Sequence, residues 1–131
     1  MQEGLFGKAE VISCYTREQA IEDGELVDMS EWGSAAKGFH GGFTCPVVFT
    51  RALWVAVEAI PESLKGIADV RGRAHDVLWV ASLALRGALK REDDRAAFDV
   101  VLPHRGTRQQ KQRLSVVADG DGVTIGFPED F

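Results

Sequence analysis

Residues 73–90 (Arg-Ala-His-Asp-Val-Leu-Trp-Val-Ala-Ser-Leu-Ala-Leu-Arg-Gly-Ala-Leu-Lys) constrain the fold more than any other stretch of the chain. They contain no proline, and most are good helix formers. Ala74, Val77, Leu78, Ala81, Leu85 and Ala88 recur at the three- and four-residue steps of one helical face. Val80, Leu83, Ala84 and Leu89 widen that face until little of the middle is polar, so the helix must be covered on most sides. It is too short, and too closely flanked by charge, to span a membrane. The spacing therefore predicts a central core helix with a sheet on one side. On the other side it calls for a shorter helix or a second copy of the chain.

At 131 residues the chain is expected to form a single domain, 1–131, able to bury one core without metals or crosslinks. Its net charge of −5 disfavours duplex nucleic acid and anionic membrane as partners. Cys14 and Cys45 are the only cysteines, and no basic segment followed by an apolar run opens the chain, so a reduced cytoplasmic setting with free thiols is expected. Cys14, His40, Cys45 and His75 do not fall at the spacings of zinc ligand pairs, and neither a metal nor a cofactor is expected.

The remaining segments supply the sheet and the shorter helices. Residues 9–15 read as a strand, followed by Thr16 and Gln19 at capping-box spacing, a short helix, and Gly24 as its stop. Leu26 to Met29 is a short apolar run, and Ser30 reads as the cap of a turn running to Lys37. Three glycines and two phenylalanines follow in residues 38–43, a loop pinned by its aromatics or lining a ligand. Val47, Val48 and Phe49 precede Thr50, a candidate N-cap for a helix over 51–60 that Pro61 ends. In the last third the period changes to two: Phe98, Val100 and Leu102; Leu114 and Val116; Val123, Ile125 and Phe127. With Asp119-Gly120-Asp121-Gly122 as a hairpin turn, this gives three antiparallel strands with one apolar face on the core helix and the other partly wet. The expected class is α+β: an antiparallel sheet packed on a central apolar helix with one or two shorter helices.

Among polar features, residues 103–113 stand out. Arg105, Arg108, Lys111 and Arg113 are four positive charges without an acid, which leaves −9 on the rest of a chain at −5. Such a basic hairpin tip is a local anion site, and the arginine fork suits phosphate. Four charges on an acidic body are few for a duplex, so a small phosphate ligand fits better than DNA, and a merely solvated loop fits the same pattern. His75 and Asp76 are helical neighbours pointing about 100° apart, which denies them a mutual dyad. Ser13, Cys14 and Cys45 lack a nucleophile context, and no phosphate-loop or dinucleotide fingerprint is present.

Several of these blocks together resemble a family of small proteins carried by phages and plasmids. The resemblance rests on residues 11–28 (Val-Ile-Ser-Cys-Tyr-Thr-Arg-Glu-Gln-Ala-Ile-Glu-Asp-Gly-Glu-Leu-Val-Asp), on 43–54 and 73–81, and on 108–114 with 123–125. The chain looks like the group that includes the Thoeris anti-defence sponges of phages. That resemblance implies a cytoplasmic protein of the infected bacterial host that sequesters a cyclic ADP-ribose isomer made by TIR-domain immune enzymes, without cleaving it. It also implies possible capture of cyclic oligonucleotides and assembly into a homodimer or hexamer. The tip residues His104-Arg105-Gly106 depart from the family pattern and bear on ligand preference.

Such a sponge needs an aromatic face for adenine and arginines for the pyrophosphate, but no general base, metal or nucleophile. The chain offers Phe39, Phe43 or Trp79 for stacking and Arg105, Arg108 and Arg113 for phosphate. Arg51 adds charge near a helix N-terminus. Two other readings compete: a protein-binding inhibitor of a host defence complex, of the anti-CRISPR kind, for which net acidity suits nucleic-acid mimicry, and a small nucleotide-processing enzyme.

Overall fold

The computed structural model describes residues 17–33, 43, 45–59, 70–103 and 109–131. Five strands and four helices are formed there, in the order α1 (Arg17–Glu22), β1 (Leu26–Asp28), α2 (Ser30–Gly33), β2 (Val47–Thr50), α3 (Arg51–Glu58), α4 (Val70–Lys90), β3 (Arg95–Pro103), β4 (Gln109–Asp119) and β5 (Gly122–Gly126), with a closing 3₁₀ turn at Pro128–Asp130. The strands form one sheet in the order β1-β2-β5-β4-β3. The class is α+β, as the periodicities predict.

One junction differs from an all-antiparallel sheet. β1/β2, β5/β4 and β4/β3 are antiparallel, but β2 runs parallel to β5, with Phe49 beside Ile125. The reason lies in the connection. β2 leads straight into α3 and then α4, and such a helical crossover returns the chain to the sheet in the original direction. The order of elements carries that information, whereas the period of two does not.

Alternation sorts the sheet into two faces. Phe98, Leu102, Leu114, Val116, Val123, Ile125 and Phe49 are buried on one face, in a single core with Ala74, Val77, Leu78 and Ala81 of α4. α3 closes that core with Leu53, Ala56 and Val57. Thr50 caps α3 as its sequence position predicts, its side chain accepting from the Leu53 N–H. α4 begins one turn earlier than its apolar pattern suggests, at Val70, and it is not covered all round. Leu83 (48% exposed) and Leu89 (53%) face solvent with His75, Asp76, Arg86 and Lys90. The sheet and α3 reach only one side of the helix, so these two leucines do not widen the buried face.

The helix ends follow their local chemistry. Gly24 stops α1 at φ +82, with Glu25 N–H bonded to Ala20 C=O and Gly24 N–H to Ile21 C=O. The same six-to-one closure ends α4, from Asp93 N–H to Ala88 C=O, but there the left-handed residue is Glu92 at φ +60. Ser30 is not a cap. It lies within α2, where Asp28 accepts its N–H and its hydroxyl binds the Val47 backbone, tying α2 to β2. Trp32 of α2 meets Trp54 of α3 edge to face at 5.8 Å, and Arg71 of α4 stands over the Trp32 ring at 5.1 Å. The expected strand over 9–15 and the Thr16 cap lie outside the described residues. So do Phe39 and the rest of residues 38–42.

Candidate functional site

The Thr50 hydroxyl, besides capping α3, donates to Asp130 Oδ2 at 2.7 Å. That same carboxylate oxygen accepts the Phe127 N–H at 2.9 Å, so the N-terminus of α3 is clamped to the chain leaving β5. On the opposite wall Arg17 reaches from α1 to β5, donating to the Val123 carbonyl at 2.7 Å and Thr124 Oγ1 at 3.3 Å. The Arg17 Nε is buried without a hydrogen-bond partner among the described residues, a cost on the order of 1–3 kcal/mol. The guanidinium is therefore held in place against its own solvation.

Between these walls opens a cleft of about 1130 Å³, lined by Arg17, Glu25, Thr50, Arg51, Asp119, Asp121 and Asp130 among others. Arg51 is the first residue of α3, and its guanidinium passes close to Gly24, where a Cβ would stand 3.6 Å from Nη1. Its backbone N–H is taken by the Glu25 carbonyl, while its side chain is exposed and unpaired among the described residues. The β4–β5 turn supplies Asp119 and Asp121. Asp119 Oδ1 accepts the N–H groups of Asp121 and Gly122, which fixes the turn and its carboxylate together. Two arginines thus face four carboxylates across one open cleft.

A second, smaller cleft of about 300 Å³ lies between α4 and the outer strand β3, lined by Arg73, Asp76, Trp79, Val80 and residues 99–102. Arg73 is buried there, and desolvation pushes its guanidinium below its ordinary value. Its Nη1 donates to the carbonyls of Ala59 at 3.0 Å and Val57 at 3.4 Å, closing the C-terminal end of α3.

The residues singled out in the sequence are not gathered at one place. Arg51 lines the large cleft and Trp79 the small one. Phe43 packs in the core at 7% exposure, so its ring is not offered for stacking. Arg113 points away from the core, as its alternation with Leu114 predicts, but it is paired. Asp99 on the facing strand accepts from its Nε at 3.1 Å and also takes Lys111 at 3.8 Å. Arg105, Arg108 and Phe39 lie outside the described residues. Arg17, Glu25, Asp119, Asp121 and Asp130 were not signalled as a site by the sequence. They come from four separated segments, and Asp119 and Asp121 read as turn residues because that is also their local role.

The sequence profile of a family of unknown function, DUF6573, matches residues 1–107. The chain belongs to that family. No curated protein and no solved structure matches it. Among the described residues, no group of three or more His, Cys, Asp or Glu side chains is arranged to hold a metal ion, and Cys45 is a free, exposed thiol. Nor is any described helix long and apolar enough to cross a membrane.

Proposed function

We propose that this DUF6573 member binds and sequesters a cyclic nucleotide signal, a cyclic ADP-ribose isomer or a cyclic oligonucleotide, without cleaving it. In this reading it acts in the cytoplasm of an infected bacterial host as a phage-type immune-evasion protein, a sponge of the Thoeris-inhibitor kind working as a homo-oligomer. The large cleft is the observation that carries the reading. Arg51, at the first position of α3 and unpaired among the described residues, offers phosphate oxygens a fork of donors, while Arg17, bound to β5, adds positive charge to the lining. The carboxylates interspersed in the same lining suit the rest of such a ligand, because ribose hydroxyls and an adenine amino group are donors. A bare anion fits poorly, since Glu25, Asp119, Asp121 and Asp130 outnumber Arg17 and Arg51 and repel it. A ligand that carries both phosphate and hydrogen-bond donors matches this mixed lining.

The test is a bind-and-release experiment. Protein mixed with a TIR-generated cyclic ADP-ribose isomer is filtered, washed and heated, and the released ligand is identified by mass. A sponge returns it intact, whereas recovery of a cleaved product makes the protein an enzyme. Calorimetry on Arg51→Ala should show affinity about ten- to hundredfold weaker, the loss of one charge-assisted contact, with the melting temperature unchanged. If no cyclic nucleotide binds the parent protein, the reading fails.

A further inference from the structure

β3 is the last strand of the sheet, and its nine residues make it one of the two longest in the fold. The direction of its free hydrogen-bonding groups follows from one contact. Ala118 N–H bonds to the carbonyl of Asp94 at 2.8 Å, and the two residues continue the β3/β4 register, in which Arg95 stands beside Val117. Residue 94 therefore directs its backbone groups at β4, and by alternation so do 96, 98, 100 and 102. Arg95, Ala97, Asp99 and Val101 direct theirs outward. All four are exposed, Val101 at 59%. No described strand pairs with that side.

A long, open, apolar-flanked edge invites another strand, and sheets normally blunt such edges with charge. Here the charges have a particular spacing. We propose that β3 pairs antiparallel with β3 of a second copy across a two-fold axis at Ala97, joining the two sheets into one. Antiparallel pairing matches outward-directed residues with each other, so only registers centred on whole residues between 95 and 101 bring these edges together. Centring on Ala97 sets Arg95 opposite Asp99 of the other copy, and Asp99 opposite its Arg95, on the same face of the joined sheet. Centring on Arg95 or Asp99 places like charges on the axis, and centring on Ala96 sets Asp93 against Asp99. Centring on Phe98 leaves Arg95 opposite Val101. One register alone is charge-complementary, and directly opposed unlike charges favour pairing while like charges oppose it.

The surroundings agree with that register. Asp99 is held by Arg113 at 3.1 Å and more loosely by exposed Lys111 at 3.8 Å, so Arg95 of a second copy takes the place of Lys111 at little cost. Among the described residues the Arg95 guanidinium is held by Asp94 at 3.4 Å and its outward N–H by Asp93 Oδ1 at 3.3 Å, both exposed contacts that are cheap to release. On the α4 side of this edge, Val80 borders the cleft against residues 99–102 of β3 and is partly exposed. This pairing is independent of the nucleotide reading: it concerns the far edge of the sheet, not the cleft at α3.

Sedimentation velocity at micromolar concentration with two sets of variants decides it. The parent should sediment as a dimer or an even multiple. Ala97→Pro removes an N–H that points outward, so the β3/β4 ladder and the melting temperature should survive while the two hydrogen bonds on the axis are lost. Dimerisation should weaken by about 30- to 100-fold. Arg95→Asp and Asp99→Arg should each weaken it, and the double exchange should restore it, which a simple loss of folding cannot do. In a larger assembly the same variants must lower the particle mass. A monomeric parent, an unaltered Ala97→Pro oligomer, or a double exchange no better than the singles overturns the proposal.

Discussion

Two glycines two residues apart, at the β4–β5 turn, should respond to alanine in opposite directions. Gly122 has φ +137, a conformation in which an L-residue is strained by about 1–3 kcal/mol. A Cβ there would also stand 2.3 Å from the carbonyl oxygen of Pro46, which is backbone and has no rotamer to give. That oxygen accepts the Val123 N–H at 2.9 Å, the bond that leads into the parallel β2/β5 pairing. Moving it aside forfeits that bond, worth about 1 kcal/mol net, in addition to the strain. Gly122→Ala should therefore lose roughly 2–4 kcal/mol, a large share of the stability of a domain this size. Gly120 is not left-handed, and nothing lies within 4 Å of its would-be Cβ. Gly120→Ala only restricts the unfolded chain and should gain about 0.4–1 kcal/mol. Urea denaturation of both variants beside the parent is the assay, with the midpoint shifts taken at equal slope. Similar shifts for the two variants, or a Gly122→Ala loss below ~1 kcal/mol, would refute the account of β2 and β5 as locked together at Pro46.

Three smaller changes test other contacts. Glu92→Gly should stabilise the protein by about 0.5–1 kcal/mol in thermal melts, because glycine carries no left-handed penalty at the end of α4. Thr50→Ala should cost about 1–2 kcal/mol by chemical denaturation, and Thr50→Ser should recover most of it, since the hydroxyl both caps α3 and holds Asp130. Arg113→Ala should change stability by less than about 1 kcal/mol, because its pair with Asp99 is solvent-exposed. Any larger loss would show that the outer sheet face is covered in solution.

The core was readable because burial imposes a period. Ala74, Val77, Leu78, Ala81, Leu85 and Ala88 are all buried where helical spacing places them, and Phe98, Leu114, Val116, Val123 and Ile125 where alternation does. Thr50 and Gly24 were readable because caps depend on chemistry within three or four residues. The parallel junction was not, since nothing in Val47–Thr50 or Gly122–Gly126 alone records the direction of its neighbour. The cleft was hidden for a related reason. Arg17 and Asp130 come together only through the fold, and Asp119 and Asp121 carry turn signals strong enough to explain them completely. Phe43 was a fair candidate for stacking only because an aromatic among glycines looks the same whether it anchors a loop or greets a ligand.

The parallel pairing of β2 with β5 has a bearing on how the protein is made. β5 is the middle strand of the sheet, yet it is translated after every strand it sits among. While the ribosome is still adding residues, β1 and β2 have no route to β4 and β3, and the apolar side of α4 waits with half its cover. The stretch shared with the DUF6573 family, residues 1–107, stops before β4 and β5. A fragment cut at that boundary would keep the family signature and lose the centre of the sheet. The nascent chain passes through that same state, with unpaired strand edges and apolar surface exposed until β5 emerges.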